Sequence, residues 1–110
     1  MTPATTEKLH HPERDEIELA AVLHALSDPI RLQMVAGLAA EACERSCGSF
    51  EVPVTKSTCT HHFKVLREAG VIRQEVRGRQ RMITLRRAEL DERFPGLLGS
   101  ILAASGETAR

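Results

Sequence analysis

The residues whose types and spacing could do chemistry lie in the stretch VPVTKSTCTHHFKVLREAG, from Val52 to Gly70. Hydroxyls, a cysteine and two adjacent histidines stand at the front of this segment, and cations follow them. Such groups could bind a metal ion, form a catalytic pair, or hydrogen-bond to the bases and phosphates of DNA. These three chemistries compete for one segment, and its helical geometry helps to separate them.

A helix over this stretch would have one apolar and one polar face. At about 100° per residue, Cys59 shares a face with Phe63 and Leu66. The opposite face and its margins carry hydroxyls, an imidazole and cations, from Ser57, Thr60, His61, Lys64 and Arg67. These groups hydrogen-bond to base edges and phosphate oxygens when a helix enters the major groove. The pattern favours DNA recognition.

The metal and catalytic alternatives fit this segment less well. His61 and His62 point about 100° apart on a helix, so they cannot readily bind one ion, and His62 is interpreted as a structural residue. Burial on the apolar face would raise the pKa of Cys59, which favours a small core residue over a nucleophile. Because the chain also lacks a glycine-rich phosphate loop and a Gly-x-Ser-x-Gly turn, we expect that it is not an enzyme.

The 110 residues fit a single domain built around one core. Hydrophobic periodicity and turn residues predict the order helix, helix, short helix, helix, hairpin, helix, a mostly α fold with a small β-hairpin (α+β). Asp15 is the predicted N-cap of the first helix, Asp28-Pro29 restarts the second, and the short helix covers AEACERSCGSF. We predict a flexible arm over 1–14, a folded domain over 15–105 and a disordered tail over 106–110.

Charge is segregated along the chain, although the net charge is zero. Residues 52–87 include nine basic and two acidic residues, a net +7. Three of the cations, Arg77, Arg79 and Arg81, lie near the turn of the predicted hairpin. This distribution favours double-stranded DNA as the partner. The alternatives are a solvated charged surface and a module of the same fold that binds another protein.

The chain has no apolar run of the roughly 18–20 residues that a membrane-spanning helix needs. The first residues also lack the pattern of a signal peptide. We therefore expect a cytoplasmic protein without a membrane partner, whose three cysteines are normally reduced.

Three motifs, ALSDPIRLQMV, KSTCTHHFKVLREAGVI and VRGRQRMITL, occur in the order found in winged helix-turn-helix repressors, and the chain resembles the ArsR/SmtB family. The resemblance implies a homodimer through the first and last helices that binds a pseudo-palindromic operator. By position, the recognition helix is Ser57–Ala69 and the wing is about Val71–Leu85. The predicted DNA contacts are Lys56, Ser57, Thr58, Thr60, His61, Lys64, Arg67, Arg77, Arg79 and Arg81.

The resemblance also raises the question of an effector, because many members of the family sense metals. Cys43 and Cys47 lie four residues apart, close enough on a helix to bind one ion or to form a disulfide. Imidazole suits nickel or zinc, and candidate imidazoles are those of His10, His11 and His24. The last helix carries Glu89, Asp91 and Glu92 but no histidine. Metal sensing, thiol oxidation and a constitutive or partner-dependent repressor all stay open.

Overall fold

The computed structural model describes residues 9–41, 45–46 and 55–105. Within these ranges the predicted class, mostly α with a small β-hairpin, is confirmed. After a 3-10 turn at Arg14–Glu16, the elements follow in chain order: α1 (Leu19–Leu26), α2 (Pro29–Glu41), β1 (Arg45–Ser46), α3 (Lys56–Ala69), β2 (Ile72–Arg77), β3 (Gln80–Leu85), α4 (Arg87–Arg93) and α5 (Leu97–Ser105).

The first helix begins later than the sequence predicts. Asp15 is not its N-cap, because residues 14–16 form a separate 3-10 turn closed by reciprocal bonds between Glu13 and Glu16. The chain is then extended at Ile17, whose side chain is buried in the core with 1% exposure. Helix α1 follows from Leu19, after an N-cap residue whose side chain makes no capping bond.

The corner between α1 and α2 has the expected form. Asp28 accepts hydrogen bonds through Oδ1 from the N–H groups of Ile30 (2.8 Å) and Arg31 (3.2 Å). Pro29 occupies the first helical position, where a missing N–H costs nothing. Burial alone would raise the pKa of Asp28, but these two backbone bonds and the nearby Arg31 charge lower it. The carboxylate therefore remains an anionic cap at neutral pH.

The core is almost entirely aliphatic and draws on nearly every element. Phe63 and Leu66 of α3 lie among residues of the other helices and of the hairpin, with exposures of 3% and 0%. The largest fully buried side chains are Ile17, Met34, Leu38, Leu66, Ile72, Ile83, Leu102, Val22, Val35 and Val71. The core therefore joins the predicted recognition helix to both the helical layer and the sheet.

The hairpin carries a third, very short strand. Strands β2 and β3 pair antiparallel from Ile72 opposite Leu85 to Arg77 opposite Gln80, and Gly78, at the turn, has a φ of 61°. Strand β1 pairs with the other edge of β3, giving the order β1-β3-β2. The predicted short helix over 40–50 is wrong at Arg45–Ser46, where pairing to β3 satisfies backbone groups that an open edge would leave unpaired. Residues 42–44 and 47–50, with Cys43 and Cys47, lie outside the described residues.

The break predicted at Pro95 is confirmed. Helix α4 ends at Arg93 and α5 begins at Leu97, with Gly96 at a φ of 80° between them. In the described ranges, none of the helices combines the length and hydropathy needed to cross a bilayer.

Residues 9–14, part of the predicted arm, lie against the base of the hairpin. The Gln74 N–H of edge strand β2 donates to Nε2 of His11 (3.0 Å), and Arg86 Nη1 donates to the carbonyl of the buried Pro12 (2.8 Å). Desolvation, followed by the charge of Arg73, lowers the pKa of His11. The boundary at residue 14 stays a prediction, but residues 11 and 12 already contact the domain.

We expect Gly70→Ala to destabilise the fold strongly. Gly70 has a φ of 89°, and an added Cβ would lie 2.6 Å from Cγ1 of the buried Ile17. Left-handed strain and overpacking together should lower the free energy of unfolding by about 2–4 kcal/mol, measured by urea denaturation. Gly96→Ala is the matched control, because its φ is 80° and its Cβ would meet open space. Equal losses in the two variants would contradict the proposed clash.

Stability should also depend on the protonation of His11. Its pKa in the folded chain is below the usual 6.5, so the unfolded chain takes up the proton first as the pH falls. The contribution of the neutral acceptor should be complete above pH 6.5 and lost as the pH falls through the lowered pKa. In urea denaturation over a pH series, His11→Gln should flatten this dependence. His10→Gln, at an exposed neighbour, should leave it unchanged; the same effect in both variants would exclude the His11 bond as its source.

Candidate nucleic-acid interface

The predicted recognition helix, α3, is well defined at both ends. Thr55, one of the two predicted N-caps, accepts the N–H of Thr58 through Oγ1 (3.2 Å), and its hydroxyl donates to Thr58 Oγ1 (2.9 Å). At the other end, Gly70 takes the left-handed conformation that the sequence predicts, and the Val71 N–H donates to the Leu66 carbonyl (3.0 Å). The helix starts at Lys56, one residue before the predicted start.

The two faces of α3 are those of the helical wheel. The inner face consists of buried His62, Phe63, Leu66 and Ala69, with Cys59 and Val65 half-buried beside them. The outer face is exposed at Ser57, Thr58, Thr60, His61, Lys64 and Glu68. The side chain of Lys56 lies outside the described residues. Hydroxyls, an imidazole and an ammonium group thus share one solvent-facing surface, which could bind base edges.

Cys59 has the environment of a small apolar residue. It is half-buried and packs against the core cluster, and burial raises the pKa of its thiol. A raised pKa keeps the sulfur protonated at neutral pH, so its reactivity as a nucleophile or metal ligand is low.

The two adjacent histidines have different surroundings. His61 is exposed, whereas His62 is 7% exposed and its Nδ1 lies 3.2 Å from Nη1 of the buried Arg31. Their ring centroids are 6.1 Å apart and the ring planes are tilted by 50°. His61 could therefore contact a ligand, while His62 connects α3 to α2, the structural role that the sequence analysis gave it.

Arg67, a predicted DNA contact, is directed at the hairpin. Its Nη1 donates to Oε1 of the buried Gln74 (2.8 Å), and its Nε is buried without a hydrogen-bond partner among the described atoms. This contact fixes the end of α3 to β2, and the sequence gave no signal for it. A DNA contact from Arg67 stays a prediction.

The tip of the hairpin, the predicted wing, displays cations. Arg77 and Arg79 are exposed on either side of Gly78, and Arg81 is half-exposed. Arg77 also pairs with Glu75 through Nη2 at 2.8 Å. These guanidinium ions, at the turn of the hairpin that directly follows α3 in the chain, could bind the phosphate backbone.

Part of the basic segment serves the fold instead. Arg86, with a side chain 2% exposed, donates to both carboxylate oxygens of Glu89 (2.6 and 3.0 Å), and Arg73 also contacts Glu89 (3.4 Å). The hydrogen bond from Arg86 is the chief reason that the pKa of Glu89 is lowered. Arg87 pairs with Asp91 at 3.4 Å. The net +7 therefore overstates the charge available to a ligand. The spacing of three residues from Arg86 to Glu89 and of four from Arg87 to Asp91 was a signal for two of these pairs. Arg73 and Glu89 lie sixteen residues apart and gave no such signal.

The candidate effector residues are not brought together where they are described. His10 and His24 are exposed at separate places, and His11 is bonded to Gln74. Over the described ranges, no group of three or more histidine, cysteine, aspartate or glutamate side chains could hold a metal ion. Cys43 and Cys47 lie outside these ranges, so a response to nickel, zinc or an oxidant stays a prediction.

Comparison with known proteins identifies relatives of this architecture. The chain is 32% identical over 91 residues, 81% of its own length and 91% of the relative's, to the uncharacterized HTH-type transcriptional regulator YceK of Bacillus subtilis. No family model matches.

Two solved structures share the fold. The transcriptional repressor BigR of Xylella fastidiosa has a TM-score of 0.61 at 26% identity, covering 78% of this chain and 84% of that protein. An ArsR-like transcriptional regulator of Rhodococcus sp. RHA1 has a TM-score of 0.56 at 27% identity, covering 84% and 92%. These relatives regulate transcription and are not enzymes. With its motifs and its winged helix, the chain therefore belongs to the ArsR/SmtB family of helix-turn-helix transcriptional regulators.

Proposed function

We propose that this protein is a homodimeric repressor that binds a pseudo-palindromic DNA operator in the cytoplasm. The observation that carries the proposal is the exposed polar face of α3, which is followed in the chain by a hairpin with exposed arginines at its turn. The structural relative BigR is a transcriptional repressor. The same fold here presents groups suited to bases on one element and groups suited to phosphates on the next.

The two elements would have different tasks on DNA. Thr58, Thr60, His61 and Lys64 would contact base edges and nearby phosphates in the major groove, where each base pair presents a distinct donor and acceptor pattern. The wing would hold the flanking backbone without reading sequence. The full proposed contact set is Lys56, Ser57, Thr58, Thr60, His61, Lys64, Arg67, Arg77, Arg79 and Arg81.

The surface of α1 supports the dimer. Leu19 and Leu23 are large apolar side chains that remain 46% and 45% exposed. Val22 and Leu26 of α1 lie together with Leu97 and Ile101 of α5 in an apolar cluster that extends from α1 to α5. Packing this surface against its copy would bury the leucines and fix the spacing of two α3 helices. On B-form DNA that spacing must be about 34 Å, one helical turn.

Selection from a random duplex pool should yield a preferred sequence. Two variants should then show different defects, one in sequence discrimination and the other in overall affinity. His61→Ala should reduce discrimination between the selected duplex and a random one, since an imidazole contact to a base is lost. Arg79→Ala should weaken binding to both duplexes alike and reduce the slope of log affinity against log salt by about one phosphate contact. Gel-shift titrations at several salt concentrations measure both effects.

Arg14→Ala is the matched control for the wing, because Arg14 is an exposed arginine paired with Glu92 (2.7 Å) and lies outside the basic segment. It should leave the salt slope unchanged. A wild-type protein that selects no sequence would exclude the operator proposal. A change of base preference in Arg79→Ala would instead remove the wing from the backbone-binding role.

The dimer makes a separate prediction. Leu23→Glu should shift the protein to monomer, because it would bury an unpaired carboxylate in the proposed interface. Sedimentation equilibrium measures the mass directly. Val76→Glu is the matched control, since Val76 is also a large exposed apolar residue (40%) but lies on the wing. A dimer that survives Leu23→Glu would exclude α1 from the interface.

A further inference from the structure

Arg31, on α2, is a buried cation that is 7% exposed. Its Nε donates to the carbonyl of Ala25 (2.6 Å) and its Nη2 to that of His24 (3.4 Å), both near the C-terminal end of α1. Carbonyl groups at that end carry the negative end of the helix dipole, which stabilises a cation. Nε and Nη2 thus hold the guanidinium group at the end of α1, while the backbone N–H of Arg31 donates separately to Asp28 at the start of α2.

The remaining nitrogen of the guanidinium group contacts the recognition helix. Nη1 of Arg31 lies 3.2 Å from Nδ1 of His62. A guanidinium group has donors and no acceptor, so Nδ1 must accept and the proton of a neutral ring must be on Nε2. One planar group thus links the end of α1, the start of α2 and the middle of α3.

The position of His62 connects this link to the DNA-facing side. His62 is buried, and its ring lies 6.1 Å from the ring of its exposed neighbour His61. A helix has a radius of about 5–6 Å with its side chains, so a rotation of about 20° about its axis would move their ends by about 2 Å. Such a shift would break hydrogen bonds that tolerate only a few tenths of an ångström. The rotation of α3 therefore has to be fixed from inside.

We infer that Arg31 and His62 are positioning residues for operator recognition: the hydrogen bond from the buried guanidinium to His62 Nδ1 fixes the rotation of α3 and so the aim of its DNA-facing side chains. This inference rests on the proposed function. The role of His62 then depends on the hydrogen-bond acceptor at Nδ1, and not only on the volume that its ring fills.

Two substitutions separate the acceptor from the volume. In His62→Asn, the amide oxygen stands close to the position of Nδ1 and can accept from Arg31. In His62→Leu, the side chain fills much of the same space but offers no acceptor. The probes are the duplex that the wild type selects from a random pool and a random-sequence duplex of the same length.

The measured quantity is the ratio of the two affinities for each variant. His62→Leu should lose about tenfold in this ratio, the size expected when one base contact of α3 is misaligned. His62→Asn should stay within about threefold of the wild type, since a neutral acceptor is retained. Affinity for the random duplex should change little in either variant, because phosphate contacts tolerate a small rotation better than base contacts.

Circular dichroism and urea denaturation establish whether each variant folds. If His62→Leu does not fold, His62→Gln replaces it, because the glutamine oxygen stands one bond farther out, near the position of Nε2. The asparagine variant should then discriminate better than the glutamine variant.

Two results would overturn the inference while leaving the proposed function intact. One is a wild-type affinity ratio in His62→Leu. The other is an equal loss of the ratio in His62→Asn and in the variant with which it is compared, either His62→Leu or His62→Gln. A wild type that selects no sequence would overturn both. The selection is performed first, so the two failures are distinguishable.

Discussion

Helix α3 can present a polar face to solvent only because its other face is fixed in the core. Phe63 and Leu66 are almost fully buried, and each such side chain contributes about 1.5–3 kcal/mol relative to an exposed one. This burial is non-directional, however, and an aliphatic core tolerates small rotations of a helix. Polar contacts from Arg31 to His62 and from Arg67 to Gln74 supply the direction that hydrophobic packing lacks.

Buried polar groups join elements that are distant in sequence. Arg31 connects α1, α2 and α3, whereas Arg86 connects residues 9–14 to α4 through Pro12 and Glu89. Removing one partner from such a group leaves an unsatisfied polar atom in the interior, a large cost. These contacts therefore favour a single arrangement of the helices relative to the wing. Sequence-specific DNA binding requires such a fixed arrangement.

The cations of the basic segment divide into two groups that composition alone does not distinguish. Arg73, Arg86 and Arg87 meet carboxylates of α4. Lys64 on α3 and Arg77 and Arg79 at the wing tip are exposed, and the carboxylate that Arg77 meets is Glu75 of its own strand. A local excess of positive charge thus indicates the kind of partner, but the geometry decides which residues can reach it.

The sequence by itself determined the helices α1, α2 and α3, the cap at Gly70, the hairpin and the two faces of α3, because each depends on spacing and turn residues within a short segment. Only the tertiary structure decided that Arg45–Ser46 forms a strand, that His11 caps the edge of β2, and that Arg67 faces the hairpin. Each of these joins segments whose pairing leaves no local pattern. A hydrogen bond across 31 residues, such as that between Arg31 and His62, has no periodic signature and exists only once the core has brought its partners together.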